Sequence, residues 1–273
     1  MYLYFLFFII ILSYLIINKP YKVLNKPIIT IQQLCVKWLT KAIKLGPIPS
    51  HIAIIMDGNR RYAKSNNIPL LCGHKAGLDT LNNVSEWFYS VGVKEITIFA
   101  FAISNFNRQK DEVDYLMKML SDNIDKLLDS RLKLMLSDLT IRFIGNSPLL
   151  DKHLIANMIK IESLTQPNPK NILNVAIAYD STSEYTDTIF KLYNKQPKDL
   201  ITHRKVCQNL YTYKSQKLDL VVRTSGETRL SNFMLIQSSY SQIYFVQKFW
   251  PVLSIFDLQK LIILYQKNYL YNK

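Results

Sequence analysis

Cysteine is scarce in this sequence of 273 residues, which contains only Cys35, Cys72 and Cys207. These three, odd in number and far apart, suggest neither a disulfide framework nor a zinc site, and they indicate a reducing compartment. Glycine is scarce as well, with seven residues, whereas 49% of all residues are hydrophobic. This composition excludes a disordered chain and predicts a globular protein with a sizeable core.

Acidic residues are also few: 20 Asp and Glu stand against 34 Lys and Arg, which gives a formal net charge of +14. Such an excess fits three kinds of partner, namely nucleic acid, an anionic membrane surface or phosphorylated substrates. No block of Lys and Arg with interleaved aromatic residues resembles a nucleic-acid platform, so that class is disfavoured. Many lysines fall on predicted helix surfaces, where solvation explains them.

Charged side chains are absent from Tyr2 to Ile17, a stretch dominated by Phe, Leu, Ile and Tyr. It is slightly shorter than the ~20 residues of an ordinary membrane-spanning helix, but a thin bilayer or snorkelling flanks can accommodate it. No basic region precedes it and no small-residue cleavage site follows it, so a cleaved signal peptide is disfavoured. We predict a membrane segment over residues 1–17, with Lys19, Lys22 and Lys26 keeping the rest of the chain cytoplasmic. A buried core helix is the alternative.

Residues 18–45 are predicted to form a basic linker followed by an amphipathic helix. Apolar residues recur at helical spacing between Pro27 and Leu45, with lysines off the apolar stripe. Such a helix can lie on a membrane or against a partner, and packing against its own domain is an equal alternative. The run Gly46-Pro47-Ile48-Pro49 breaks the helix and marks the start of the main domain, residues 46–273.

Strands and helices are predicted to alternate through the main domain, with no internal repeat. The alternation predicts one α/β domain with a mainly parallel sheet and helices on both faces. The predicted strands are Ile52–Met56, Glu95–Ala102, Thr140–Ile144, Asn171–Ala178, Asp219–Val222 and Gln242–Val246. The predicted helices are Gly73–Tyr89, Lys110–Ser137, Leu149–Ser163, Ser183–Asn194, Thr202–Tyr213 and Asp257–Tyr269.

Two polar segments lie where predicted strands end. They are HIAIIMDGNRR from His51 and DLVVRTSGETRLSNF from Asp219. In each, a short apolar run that suits a buried strand stops at Arg, Gly, Asn and an acidic residue. Ligands of an open parallel sheet bind beyond the carboxyl ends of its strands. Two such segments, both rich in Arg and in hydroxyl or carboxylate groups, predict a diphosphate site with a metal ion.

Diphosphates need several charged donors in fixed geometry, and the planar arginine fork suits them. Gly58 and Asn59 can present backbone N–H groups at close range, because glycine has no side chain to obstruct a phosphate. Asp57 is a hard oxygen ligand beside those donors and is the natural place for Mg²⁺ bridging to the diphosphate. For any single residue, loop polarity or helix capping explains as much, but the joint pattern is harder to explain that way. The other candidates are Arg61, Arg108, Arg223, Arg229, Ser231 and His74.

Five segments resemble, in order and spacing, the successive motifs of the cis-prenyltransferases, a family that includes undecaprenyl and eukaryotic dehydrodolichyl diphosphate synthases. They are HIAIIMDGNRRYAK from His51, GHKAG from Gly73, FAFAISNFNR from Phe99, LNVAIAY from Leu173 and RTSGETRLSNFMLIQ from Arg223. The likeness runs from about residue 38 to residue 250. The variants Arg60-Arg61-Tyr62 and Thr224-Ser225-Gly226-Glu227 lean toward the eukaryotic branch.

The resemblance implies condensation of isopentenyl diphosphate onto an allylic diphosphate such as farnesyl diphosphate, which builds a long polyprenyl chain with cis double bonds. It assigns Mg²⁺ and the allylic diphosphate to Asp57, helped by Gly58, Asn59, Arg61 and His74. It assigns the diphosphate of isopentenyl diphosphate to Arg223, Arg229 and Ser231. Asn105 lies in the segment associated with positioning or deprotonating the incoming unit.

The sequence departs from the family pattern at several positions. Ser104 replaces a usual Glu, and Leu70 replaces an Arg that is often found near the allylic diphosphate. Thr182 replaces an Arg of the eukaryotic branch, and Gln242 replaces a Glu that helps to hold Mg²⁺ in single-subunit bacterial enzymes. The chain has no Arg after Arg229 and no Gly after Gly226, so it lacks the closing Arg-x-Gly element of those enzymes.

A Gln in place of that Glu and the lack of the closing element are typical of eukaryotic catalytic subunits, which pair with a Nogo-B-receptor-like subunit that supplies Arg-x-Gly. We therefore expect a hetero-oligomer. The leading hypothesis is a catalytic subunit on the cytoplasmic face of the endoplasmic reticulum membrane, serving dolichol synthesis and protein glycosylation. The alternative is a catalytically impaired subunit that stabilises an active prenyltransferase partner. Product length, allylic primer and the partner's identity stay open.

Overall fold

The computed structural model describes residues 26–128, 138–164, 169–195 and 200–271. The chain divides into two compact units, one spanning Pro49–Leu253 and the other combining Met1–Ile48 with Ser254–Lys273. The larger unit has strands β1 (His51–Ile55), β2 (Glu95–Ala102), β3 (Leu139–Ile144), β4 (Asn171–Tyr179), β5 (Leu220–Arg223) and β6 (Gln242–Phe245). Numbering the smaller unit's first helix as α1 (Lys26–Ile43), the larger unit continues with α2 (Asn59–Ser65), α3 (Leu70–Val91), α4 (Lys110–Leu128), α5 (Lys152–Leu164), α6 (Ser181–Lys195) and α7 (His203–Cys207).

The six strands form one sheet in the order β3-β4-β2-β1-β5-β6. Every pairing between neighbours is parallel, which confirms the prediction of an α/β fold with a mainly parallel sheet. The central strands are nearly continuous apolar runs, as expected where helices cover a parallel sheet. All five residues of β1 are buried, and Phe101 of β2 and Ile177 of β4 pack with Leu116 of α4 and Met158 of α5.

The register of the sheet determines what meets at its carboxyl edge. Ile55, the last residue of β1, pairs with Arg223, the last residue of β5. Strand β2 flanks β1 on the other side and ends at Ala102, just before a short 3-10 helix, Ile103–Asn107. The residues that follow these three strands therefore meet at one edge.

One predicted helix is contradicted, one extends beyond the described residues, and one observed helix was not predicted. Thr202–Tyr213 was too long a prediction: the helix covers only His203–Cys207, because the N–H of Tyr211 donates to buried Glu184 (2.7 Å) rather than to a helical carbonyl. Residues 129–137 of the predicted Lys110–Ser137 helix lie outside the described residues. The sequence analysis did not predict the short helix α2 that follows the first polar segment.

The smaller unit consists, in its described part, of α1 and the closing helix α8 (Ile255–Tyr271). Glutamine side chains of α8 join the two helices. Gln259 donates to the carbonyl of Val36 (2.9 Å) and to Thr40 (3.0 Å), and Gln266 donates to the carbonyl of Ile43 (2.8 Å). Part of the predicted amphipathic helix thus packs on another helix of its own unit.

Within the described residues, no helix has the length and apolar character needed to cross a bilayer. The predicted membrane segment, residues 1–17, lies outside the described residues.

Candidate active site

A cavity of about 880 Å³ opens at the carboxyl edge of the sheet, beyond β1, β2 and β5. All ten candidate residues from the sequence line it. They are Asp57, Gly58, Asn59, Arg61, His74, Asn105, Arg108, Arg223, Arg229 and Ser231. The structure therefore brings together two segments of the chain that are far apart in sequence. Apolar side chains, including Phe99 and Leu116, line the same cavity.

The Asp57 carboxylate lies between two guanidinium groups. Arg223 donates to its Oδ2 at 2.8 Å, and Nη2 of Arg61 lies 3.3 Å from its Oδ1. Burial opposes ionisation of this carboxyl, but the hydrogen bond and charge of Arg223, followed by the charge of Arg61, outweigh it and lower the pKa of Asp57. The carboxylate is therefore ionised at neutral pH.

Arg223 is buried and has three partners within the cavity wall. Besides Asp57, it donates through Nη1 to the carbonyl of Arg229 (2.6 Å) and to the hydroxyl of Ser231 (2.7 Å). Ser231 is thus an acceptor toward Arg223, and its own O–H stays available as a donor. Both Arg61 and Arg229 pair with Glu227, an acid that the sequence analysis left unassigned although it lies in the second polar segment.

The segment that carries Ser231 has an unusual backbone. Ser231, Asn232 and Met234 have φ angles of 48°, 61° and 48°, in the left-handed region that non-glycine residues rarely adopt. Such conformations cost on the order of 1–3 kcal/mol each and persist only where surrounding contacts hold them. The contacts at this segment are therefore important for the site.

A second group of charges centres on Glu112, in the first turn of α4. Arg108 donates to its Oε1 at 2.9 Å, Arg60 Nη1 lies 3.6 Å from its Oε2, and His74 Nε2 lies 3.8 Å from its Oε1. Burial, the largest influence, lowers the pKa of His74, and it outweighs the opposing effect of Glu112. The sequence analysis missed Glu112, although its spacing of four residues from Arg108 on a helix signals such a pair.

Asn105 is oriented by the same group. Arg108, which is only a donor, hydrogen-bonds Oδ1 of Asn105 at 2.9 Å, so the amide N–H₂ of Asn105 is the end left for other partners. An amide N–H₂ can bind an oxygen of a substrate but cannot accept a proton. Of the two roles that the sequence left open for Asn105, the geometry favours positioning.

Glycine allows close packing at two points beside the cavity. Gly58 has a φ of 104°, and a Cβ there would lie 2.9 Å from the Ser225 hydroxyl. A Cβ on Gly73 would lie 2.4 Å from the carbonyl oxygen of Asn59, so α2 and α3 approach each other only because this residue has no side chain.

Three buried polar atoms, which belong to residues that line this cavity, lack a hydrogen-bond partner in the described part of the chain. They are Oδ1 of Asn59, Nε2 of His74 and Nε of Arg223. Buried polar atoms are almost always paired, so unpaired ones around a cavity point to a polar ligand. The described residues contain no group of three or more His, Cys, Asp or Glu that could hold a metal by themselves.

The sequence departures divide into two kinds. Leu70 and Ser104 line the cavity, whereas Thr182 and Gln242 are not among its lining residues. Thr182 hydrogen-bonds Asn232, and Gln242 accepts from the hydroxyl of Tyr244.

The fold and the cavity together define an α/β protein with an arginine-rich cavity at the carboxyl edge of a parallel sheet. The prenyltransferase family model, which describes undecaprenyl diphosphate synthase, matches residues 55–270. Dehydrodolichyl diphosphate synthase CPT3 of Solanum lycopersicum is 37% identical over 257 residues, covering 85% of this chain and 89% of that protein. The human dehydrodolichyl diphosphate synthase complex subunit DHDDS is 34% identical over 238 residues, covering 85% of this chain and 72% of that protein.

A solved structure supports the same family. Lavandulyl diphosphate synthase from Lavandula x intermedia, in complex with dimethylallyl diphosphate, superposes with a TM-score of 0.72 at 31% identity, covering 80% of this chain and 95% of that one. This chain belongs to the cis-prenyltransferase family. The family named from its sequence motifs is therefore confirmed.

Proposed function

We propose that this chain condenses isopentenyl diphosphate onto an allylic diphosphate, such as farnesyl diphosphate, and builds a long-chain polyprenyl diphosphate. The observation that carries the proposal is the Arg223–Asp57 contact of 2.8 Å, which joins the two polar segments in one cavity. Family membership and the relatives named as dehydrodolichyl diphosphate synthases support it. We extend the proposal to dolichol synthesis for protein glycosylation.

The cavity wall supplies two groups of donors for two diphosphates. Arg61 of α2 and His74 of α3, with the backbone around Gly58 and Asn59, suit the allylic diphosphate, because they line the cavity that contains Asp57. Arg223, Arg229 and Ser231 suit isopentenyl diphosphate. Arg108 and Asn105 line the same cavity, and the N–H₂ of Asn105 can orient the incoming unit.

In the reaction the allylic carbon–oxygen bond breaks and its electron pair leaves with the diphosphate. The double bond of the isopentenyl unit forms the new carbon–carbon bond, and the proton that this unit loses passes to the released diphosphate. The arginines stabilise the charge that develops on the leaving group. Phe99 and Leu116 provide an apolar surface for the hydrocarbon chain.

Mg²⁺ is the proposed cofactor, with Asp57 as its protein ligand. The residues fit this ion, because protein Mg²⁺ sites at phosphates use one or two carboxylates and take further ligands from the substrate. Asp57 is ionised and lines the cavity. When bound there, Mg²⁺ would supply positive charge to a departing diphosphate.

We also propose a partner and a location. Gln242, which stands where single-subunit bacterial enzymes have a Glu that helps to hold Mg²⁺, supports a hetero-oligomer with a Nogo-B-receptor-like subunit that supplies an Arg-x-Gly element. The human relative is named as a subunit of a complex, which agrees with this proposal. We place the chain at the cytoplasmic face of the endoplasmic reticulum membrane, attached through residues 1–17.

The test is Mg²⁺-dependent incorporation of labelled isopentenyl diphosphate by the chain, alone and co-expressed with its candidate partner, beside Asp57→Ala. We expect incorporation with the partner and its loss in the variant. No incorporation under any pairing would support the alternative, an impaired subunit that stabilises an active partner. Full activity of the chain alone would contradict the proposed hetero-oligomer.

A further inference from the structure

The strained segment that presents Ser231 is tied to the corner between β4 and α6. Hydrogen bonds make this tie, and none of those named below involves a residue that lines the cavity. The N–H of Ser181 donates to the carbonyl of Asn232 (2.9 Å), and the N–H of Leu235 donates to the Ser181 hydroxyl (2.9 Å). The Asn232 amide donates to Oδ2 of Asp180 (2.6 Å) and to the Thr182 hydroxyl (3.0 Å).

The two carboxylate oxygens of Asp180 accept hydrogen bonds from different groups at this corner. Its Oδ1 accepts from the backbone N–H groups of Thr182 (2.9 Å) and Ser183 (3.1 Å), in the first turn of α6. That is the arrangement of a helix N-cap, which leaves only Oδ2 for Asn232. A single side chain therefore connects the start of a helix to a residue with a φ of 61°.

We infer that Asp180 and Asn232 are positioning residues, which act through Ser231 and Arg223 to set the affinity for isopentenyl diphosphate. Asn232 directly follows Ser231, and the Ser231 hydroxyl accepts from Arg223, as does the Arg229 carbonyl. Releasing Asn232 frees the segment to leave the left-handed region, and Arg223 then loses two of its three partners. The inference rests on the proposed function, because it assigns these donors to isopentenyl diphosphate.

The pair also accounts for one departure from the family pattern. Thr182 stands where an Arg is common in the eukaryotic branch, so that guanidinium is absent at this corner. Here the neutral amide of Asn232 donates to the carboxylate of Asp180, just before α6, and to the hydroxyl of Thr182 in α6. These hydrogen bonds hold the corner without an arginine.

Burial of Phe233 and Met234, which are both 0% exposed, is the competing explanation for the position of the segment. Asn232→Asp separates the two explanations. It leaves those apolar side chains in place and keeps a residue that tolerates a positive φ, but it sets two carboxylates against each other. The double variant Asp180→Asn with Asn232→Asp exchanges carboxylate and amide, so it restores the hydrogen bond and keeps an acceptor for the helix cap.

The experiment uses the full chain, alone or with its partner, whichever is active. It measures kcat, the KM for isopentenyl diphosphate, the KM for the allylic diphosphate, and amide hydrogen exchange over residues 229–235. For Asn232→Asp we expect about a tenfold rise in KM for isopentenyl diphosphate, equivalent to about 1.4 kcal/mol. The KM for the allylic diphosphate should change less than about twofold, and exchange in the segment should become faster. The double variant should return both readouts close to wild type, as expected for a coupled pair.

Asn194→Asp is the matched control. Asn194 is exposed near the end of α6, so this change adds the same charge away from the corner. It should leave both KM values unchanged. If Asn232→Asp does not fold, Asp180→Ser replaces it, because serine keeps a capping hydroxyl but is too short to reach Asn232.

Three results would overturn the inference: wild-type behaviour of the single variant, an equal rise in both KM values, or a double variant as impaired as the single one. Failure of the proposed function looks different. In that case the wild-type chain incorporates no isopentenyl diphosphate in any pairing, and the exchange data alone decide whether Asp180 and Asn232 hold the segment.

Discussion

At the scale of single residues, the Asp57 carboxylate combines two features. It pairs with Arg223 and Arg61, and it lines the cavity that we propose to bind diphosphates. The two guanidinium groups keep it ionised despite its partial burial, so it stays a negative oxygen ligand within a positive wall. This arrangement has a consequence for stability as well as for catalysis.

We predict that Asp57 stabilises the fold at neutral pH and less so in acid. Its pKa is lower in the folded chain, so its contribution is complete above the unfolded pKa, about 3.9, and is lost as pH falls through the folded pKa. Urea unfolding of wild type and Asp57→Asn at pH 7 and near pH 3 measures this. The free energy of unfolding should differ at pH 7, and that difference should shrink in acid. A difference that is independent of pH would contradict the prediction.

At the scale of secondary-structure elements, the first turn of α4 holds one wall of the site through Glu112. We predict that Glu112→Ala lowers kcat/KM about tenfold or more, because Arg108 loses the acceptor that keeps it on Asn105. Glu112→Gln keeps an acceptor and should lose less. Steady-state kinetics with both substrates provide the measurement.

The matched control for Glu112 is Asp111→Ala. Asp111 is exposed and lies in the same turn, so it changes the charge at the helix N-terminus equally. We expect near wild-type kinetics. If both variants were impaired alike, the effect would belong to the charge of the helix terminus rather than to the contacts of Glu112.

The close approach of α2 and α3 gives a prediction about stability. Gly→Ala within an exposed helix stabilises by about 1 kcal/mol, but a Cβ on Gly73 would meet the Asn59 carbonyl at 2.4 Å. We therefore expect Gly73→Ala to destabilise the protein by about 1–3 kcal/mol in urea unfolding. Asn83→Ala, at an exposed position of the same helix, is the control and should be neutral or stabilising. Equal stability of the two variants would show that the helices can move apart.

The elements also show what the sequence can and cannot predict. Alternating apolar runs predict the strands and the parallel sheet, and the same runs place Asp57 and Arg223 beyond strand ends. Their contact was only a hypothesis, because nothing in the sequence states that β1 and β5 are neighbours. The helix predicted over Thr202–Tyr213 was too long because buried Glu184, distant in sequence, captures the Tyr211 N–H. Contacts of this kind, like that of Asp180 with Asn232, join residues far apart in sequence, so the periodicity of apolar residues does not predict them.

At the scale of the whole molecule, the described chain combines a catalytic unit with a two-helix unit that exposes apolar and basic side chains. In α1, Leu34 and Trp38 are 49% and 70% exposed, and Lys41 lies over the Trp38 ring. Basic and apolar groups together suit the surface of an anionic membrane. Two segments are therefore candidates for membrane attachment: residues 1–17 and helix α1.

We predict that residues 1–17 are the main attachment, because a continuous uncharged segment buries far more apolar surface in a bilayer than two exposed side chains of an amphipathic helix. Deleting residues 2–17 should move the protein from the membrane pellet to the supernatant, with activity retained on detergent-solubilised substrate. Trp38→Ala in the full chain is the comparison and should stay with the membrane. If the deletion variant stayed bound and a further Trp38→Ala change released it, α1 would be the attachment. If both changes together left the protein in the pellet, a partner subunit would hold it there.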